Sequence, residues 1–304
     1  MGSVKYNPLR NEFDEVLDKE EIILPQLVWH ITDVCPLCCP YCFATKSQKE
    51  TSKSQIDQYI KLFEILGIQK IDISGGEPLT YKRLPYVVEE LKKLFINITI
   101  TTSGTAKPII RQWLLNSLKD FSRVIVSLDG SSQKIHDKLR GRDGTFNKLV
   151  ELVFDMKEAK YPNVRINTVV TKHLLEEESC YRLTELINVL TPKEWCLIEP
   201  HPSNKKENFE EYAVTREQFS NICDAIQHIS SKINLNSNII KRTVDNYCRY
   251  WVLLPDGKVF QHSRDAIPTV VLDFEDNTIT SIKKLISRNG VWLPNKEGGM
   301  IYAG

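Results

Sequence analysis

The sequence predicts an α/β fold built on a parallel sheet, and three observations predict it. Apolar runs of strand length alternate with amphipathic stretches of helix length six times between residues 26 and 231. Short polar or glycine-bearing motifs fall at the ends of the first four of those strands, where α/β folds gather their ligands. With 304 residues the chain has material for one large domain and a small appendage, well above the size that needs disulfides or metal for stability.

QLVWHIT (26–32) is the first strand, and the helix after it carries Ile56, Tyr59, Ile60, Phe63 and Ile65 or Leu66 at helical spacing. KIDISGG (70–76) precedes a helix near 84–94, and INITITTSG (96–104) one at 109–118. RVIVSLDG (123–130) leads into 145–160, VRINTVVT (164–171) into 177–190, and EWCLIEP (194–200) into 216–231. Repeated βα units imply right-handed crossovers in either an open doubly wound sheet or a barrel that is partly or wholly closed. Beyond about 235 the pattern changes. YWVLLPDGKVFQH (250–262) reads as two short strands around a Pro-Asp-Gly turn, and PTVVLDF and TITSIKKLIS as a further strand and a short helix, together a small α+β appendage. The expected organisation is an N-terminal extension (1–24), the βα body (25–234) and a C-terminal extension (235–304).

Lysines and arginines number 40 against 39 acids, so a net charge of +1 gives no electrostatic reason to expect nucleic acid or an anionic membrane as partner. No segment resembles a signal peptide or approaches the roughly 18 apolar residues of a membrane span, and the chain reads as cytoplasmic. In that compartment thiols stay reduced, so the four cysteines packed into ITDVCPLCCPYCFATK point to metal or chemistry. Cys35, Cys39 and Cys42 have C-x3-C-x2-C spacing, with Cys38 extra. A zinc knuckle would need all four, yet adjacent Cys38 and Cys39 would point in different directions, and structural zinc draws its ligand pairs from separated segments. A simple electron carrier would need a fourth ligand, and in this loop only Cys38 could supply it. Three ligands in a tight loop leave one metal position open, as catalytic metal sites do. A non-catalytic iron-sulfur or zinc protein is the alternative of another class.

CPLCCPYC, followed one βα unit later by GGEP (75–78) and then by the strand-end SLDG (127–130), resembles the radical S-adenosylmethionine (radical SAM) superfamily over roughly residues 25–200. The resemblance implies a partial (β/α)6 TIM-like barrel with a [4Fe-4S] cluster on Cys35, Cys39 and Cys42, its fourth iron chelated by the methionine group of S-adenosylmethionine (SAM). An unligated iron suits such an N,O chelate. One electron passed into the sulfonium cleaves the C5′–S bond to methionine and a 5′-deoxyadenosyl radical, which abstracts hydrogen from an unactivated carbon. The cofactor carries this chemistry and the protein positions it. Gly75 and Gly76 would let the backbone approach the methionine moiety, Glu77 would accept from its ammonium group, and Pro78 would fix the turn. By the same resemblance Tyr41 would lie against adenine, and Thr102 and Ser103 would make the polar contact of the third strand. Ser127 and Asp129 would reach the ribose, Arg140 the methionine carboxylate, and Asn167 or Val169 the adenine edge. Strand-end Ser, Asp and Asn also commonly cap helices and turns.

The stretch from SLDG to HDKLRGRDGTF (127–146) resembles members with a C-terminal SPASM or shorter twitch extension, many of which modify peptides. Those carry a C...PDG-x-V-x-P-C run that ligates an auxiliary cluster. Here Cys248 is followed by PDGKVFQH, His262 stands where the second cysteine would be, and no cysteine follows Cys248. One cluster and a degenerate extension are therefore expected, with Cys248 free to act as a hydrogen-atom donor; a buried free cysteine as a small hydrophobe is the plain alternative. The expected reaction is modification of a peptide or other natural product, with epimerisation through Cys248 preferred. The runner-up is oxidation or rearrangement of a sugar- or aminocyclitol-like small molecule. His30, Glu199, His201 and His262 are further substrate-facing candidates. The partners expected are the substrate and an electron donor such as flavodoxin or ferredoxin, with no nucleic acid and no membrane.

Overall fold

The computed structural model describes residues 3–7, 12–16, 26–42, 44, 46–65, 67–201, 209–244, 251–261, 269–273, 291–294 and 300–303. Leu66, Cys248, His262 and the short helix expected around 278–287 lie outside these residues. Strands β1 (Ser3–Asn7) and β2 (Glu12–Val16) form an antiparallel hairpin apart from the main sheet. The βα series then runs β3 (Gln26–Thr32), α1 (Lys53–Ile65), β4 (Lys70–Gly75), α2 (Leu84–Lys93), β5 (Asn97–Thr102) and α3 (Pro108–Asn116). It continues through β6 (Arg123–Ser127), α4 (Gln133–Arg140), α5 (Thr145–Glu158), β7 (Val164–Val169), α6 (Glu177–Leu190) and β8 (Glu194–Ile198). Helices α7 (Phe209–Tyr212) and α8 (Arg216–Lys232) lead to β9 (Asn238–Arg242). Strands β3 to β9 pair in parallel and in chain order.

The six expected strand–helix units are present, and the sheet curves as a partial barrel that does not close. Beyond residue 234 the next four strands extend that same sheet at both edges. β9 continues it past β8, and β10 (Trp251–Leu253) pairs in parallel with β3. Antiparallel β11 (Lys258–Gln261) and β12 (Thr269–Asp273) follow, giving ten strands in the order β12-β11-β10-β3-β4-β5-β6-β7-β8-β9. The Pro-Asp-Gly turn joins β10 to β11 as expected, with Gly257 at φ 84. A last hairpin pairs β13 (Val291–Pro294) with β14 (Met300–Ala303).

Parallel strands covered on both sides read as continuous apolar runs; β6 and β8 do so, while β4 and β7 alternate. Leu27, Trp29, Ile31, Ile71, Ile73, Ile98, Ile100, Val124, Val126, Ile166 and Leu197 are buried towards the helices. In α1, Phe63 and Tyr59 meet Trp29 edge-on at 5.2 and 6.1 Å, the contact their helical spacing demands. Burial of each such side chain is worth about 1.5–3 kcal/mol. The intervening positions, His30, Asp72, Ser74, Thr101, Ser127, Asn167 and Arg242, face the lumen. Helix α8 starts at a capping box in which Gln218 N–H donates to Thr215 Oγ1 and Thr215 N–H to Gln218 Oε1.

Candidate active site

The cysteine loop leaves β3 and is clamped from two sides. On the first, Gly76 N–H donates to the Thr32 carbonyl at 2.6 Å and Glu77 N–H to the Val34 carbonyl at 2.9 Å. A Cβ on Gly75 would collide with the Thr32 carbonyl oxygen, and one on Gly76 with the Val34 carbonyl. Gly75 also has φ +122, a conformation that side chains rarely adopt. The two glycines thus make room for the backbone of the cysteine loop. Glu77 is buried, its Oε1 accepting from Leu79 N–H at 3.0 Å and Thr102 Oγ1 at 2.6 Å, its Oε2 from Ser103 N–H at 2.7 Å and from the Ser103 hydroxyl. It therefore ties the turn after β4 to the end of β5, and Pro78 begins the short turn of helix that follows. Burial pushes its carboxyl up, and the Ser103 and Thr102 hydrogen bonds oppose that.

The second side is α4, which sequence periodicity did not separate from the motif around it. Its last residues hold the loop: Cys38 N–H donates to the Arg140 carbonyl at 3.0 Å, and Arg142 Nη1 to the Pro36 carbonyl at 3.2 Å. Gly141 (φ +66) packs so close that a Cβ would lie 2.8 Å from the Cys38 carbonyl oxygen. The Arg140 guanidinium reaches Asp129 Oδ2 through Nη2 at 2.7 Å and the Cys39 sulfur through Nη1 at 3.9 Å. Asp129 also accepts from Tyr41 Oη at 2.6 Å and from Val169 N–H at 2.8 Å, and its own N–H donates to His136 Nδ1 at 3.2 Å. Asp129 and the Val169 N–H are thereby engaged within the chain. Burial opposes a charge on Arg140, but Asp129, Tyr41 and Cys39 outweigh it and hold the guanidinium firmly protonated. His136 was missed by sequence reasoning; only its place seven residues after Asp129 marked it.

Cys35, Cys39 and Cys42 gather in one cluster with Leu37, Tyr41, Leu139 and Phe209, whereas Cys38 is exposed. Burial pushes the Cys35 thiol up to about 11, with Glu77, Cys39 and Cys42 adding to it. Cys39 is likewise raised by burial, opposed by Arg140. Among the described residues no three His, Cys, Asp or Glu side chains converge as a single ion requires. A cubane makes no such demand, because each thiolate binds its own iron. The three thiols gathered in the loop are a donor set that fits a [4Fe-4S] cluster.

Below the loop, Ser127 and Asn167 lie on adjacent strands in register and face the lumen. Asn167 Oδ1 and His30 Nδ1 are buried without a hydrogen-bond partner, and burial lowers His30 to about 4, so the ring is neutral. Asp72, held by Thr101 Oγ1 at 3.1 Å, is pushed up to about 6 by burial, against Thr101, Arg242, Lys70 and Arg165. At the far end Glu194 joins Arg123 at 3.2 Å and Arg165 at 2.6 Å. Cys196 is fully buried beside Ile198 and Ile240. Glu199 accepts from Val244 N–H at 2.7 Å at the end of β8, and His201 is buried nearby. Asp72, Thr101 and Arg242 were missed as site residues, although their period-two placement on strands was a readable signal.

A partial barrel of parallel strands with a three-thiol loop clamped at its strand ends defines an enzyme of the radical SAM class. The profile of the radical SAM superfamily matches residues 29–180, and the chain belongs to that superfamily, whose cofactors are a [4Fe-4S] cluster and SAM. It is 24% identical over 274 residues to the GTP 3',8-cyclase of Aquifex aeolicus (strain VF5), 81% of this chain and 83% of that protein. It is 23% identical over 298 residues to an S-adenosylmethionine-dependent nucleotide dehydratase of Lacinutrix mariniflava, 90% of this chain and 60% of that one. In fold it resembles Streptococcus suis SuiB bound to precursor peptide SuiA, with TM-score 0.70 and 17% identity over 86% of this chain and 64% of SuiB. No helix among the described residues is long and apolar enough to cross a membrane.

Proposed function

We propose that this enzyme abstracts a hydrogen atom from a sugar carbon of an anionic small molecule of the nucleotide type, held in the lumen beneath the cysteine loop. The observation that carries this reading is lumen charge. Among the described residues Lys70, Arg123, Arg165 and Arg242 sit on its strand positions against only Asp72 and Glu194. Low-dielectric walls of one net sign concentrate ligands of the other. Two relatives spanning most of the chain bear names that specify nucleotides, and the reading is a form of the sugar-type alternative raised by the sequence.

When bound, the cluster and SAM supply the electron and the 5′-deoxyadenosyl radical. Cys35, Cys39 and Cys42 hold the cluster, Gly75 to Pro78 and Ser103 fix the turn beside it, and Ser127 and Asn167 bind the nucleoside side of SAM. Tyr41, anchored on Asp129, closes the wall near adenine. An external reductant of the flavodoxin or ferredoxin kind delivers the electron. A second reading is peptide modification, by epimerisation with Cys248 as hydrogen donor; SuiB, which this chain resembles in fold, was solved with a precursor peptide.

The test is 5′-deoxyadenosine formation by anaerobically reconstituted protein with dithionite and SAM. Nucleoside triphosphates deuterated in the ribose are expected to raise the rate and pass label into 5′-deoxyadenosine. Label passing only from the α-carbon of a peptide overturns this reading in favour of the second. Substituting Cys35, Cys39 or Cys42 with Ala abolishes the product, and Cys38→Ala retains it. If Cys38→Ala alone loses the iron, the ligand assignment is wrong.

A further inference from the structure

We propose that Arg140 is a positioning residue for the cluster: its guanidinium, fixed by Asp129, places a positive charge beside the Cys39 sulfur and raises the reduction potential of the cluster bound there. The proposal rests on the assignment of Cys39 as a ligand. Arg140 lies between the Asp129 carboxylate, at 2.7 Å, and the sulfur of Cys39, at 3.9 Å, which is a thiolate once it ligates the cluster. Its backbone carbonyl takes the Cys38 N–H, so the guanidinium and the loop that carries the sulfur are held in one frame. Asp129 is fixed in turn by Tyr41 and by the Val169 N–H, so the guanidinium cannot swing away without breaking a buried ion pair.

Reduction adds a negative charge to the cluster. A cation beside a ligand sulfur stabilises that charge, because hydrogen bonds and net charge at the sulfurs set such potentials. The sequence assigned Arg140 to the methionine carboxylate. In this structure the guanidinium is instead taken up by Asp129 and the Cys39 sulfur.

The experiment is redox potentiometry of the reconstituted protein without SAM, followed by electron paramagnetic resonance, with iron content measured on every variant. Arg140→Gln is expected to make reduction at least tenfold less favourable, a shift of about 59 mV to lower potential for a one-electron couple. Asp129→Asn removes the opposing charge and is expected to shift it the other way, and Arg140→Lys to stay within threefold of the parent. If Arg140→Gln fails to assemble a cluster, the sign of the Asp129→Asn shift decides alone. Unchanged potentials, or shifts of one sign in both variants, overturn the proposal. Unchanged potentials, with weakened SAM binding in a separate titration of the reconstituted Arg140→Gln protein, restore Arg140 to the methionine carboxylate. Parent protein without any cluster would instead defeat the ligand assignment.

Discussion

Glu77 and His30 stand at the ends of neighbouring strands and are treated in opposite ways. Glu77 spends both oxygens on four donors from its own chain, while His30 has a buried ring nitrogen with no partner at all. The contrast extends beyond the pair. Around the cysteine loop, Asp129, Gly75, Gly76 and Gly141 are all used to fix backbone. In the lumen, Asn167 also leaves an oxygen unpaired. Unpaired buried polar groups cost stability; they also occur at Trp29 Nε1 and, beside the loop, at Arg140 Nε and His136 Nε2, and those of the lumen are the ones a ligand there would complete. The loop is built to be rigid before anything binds, and the lumen to be completed by what binds.

The largest effect that could break this comparison is at Gly76. A methyl group there must displace the Val34 backbone, and no flexible side chain is present to yield. Gly76→Ala is expected to cost about 3 kcal/mol in urea unfolding and to lose most iron on reconstitution. Full iron content with parental stability would mean that the clamp does not hold the loop.

The pH dependence of the lumen gives a smaller effect. His30 is lowered from 6.5 to about 4, so between those values the unfolded chain binds a proton that the folded chain refuses. Stability contributed this way is complete above pH 6.5 and falls as pH drops towards 4, by up to about 1.4 kcal/mol per pH unit. His136 acts in the same direction, while Asp72, raised from 3.8 to about 6, acts in the opposite one. The difference between His30→Leu and the parent isolates one proton. The variant is expected to gain on the parent as pH falls from 6.5 to 4 in unfolding curves. Parallel curves would mean that His30 is protonated in the fold.

How far the sequence revealed these regions follows from the range of the interactions involved. KIDISG is legible because its β-branched residues alternate and RVIVS because they run together, and the motifs at their ends follow from topology. Helix α4 was hidden because QKIHDKLR has only Ile135 and Leu139 as apolar residues over two turns, and it buries His136, Asp137 and Arg140 instead. The pairing of β10 with β3 joins residues more than two hundred positions apart, and no local pattern encodes it. Glu77 was legible as a site residue, but its four donors come from the folded turn and from β5.

Asn167 offers the smallest and most discriminating effect. Its Oδ1 is buried and unpaired at the register position beside Cys196, between the ring of Glu194 with its arginines and the cysteine loop. Leucine is close in volume and brings no polar atom, so Asn167→Leu removes a desolvation penalty without opening a cavity. Stability is expected to rise by up to about 1 kcal/mol, read as a higher urea midpoint at unchanged slope. Formation of 5′-deoxyadenosine is expected to fall in the same variant, because the group that completes the amide is then the ligand. Opposite signs in the two measurements are what a site held at the expense of stability produces. A fall in both would show that Asn167 is a packed structural residue and that the lumen, like the loop, is complete before anything binds.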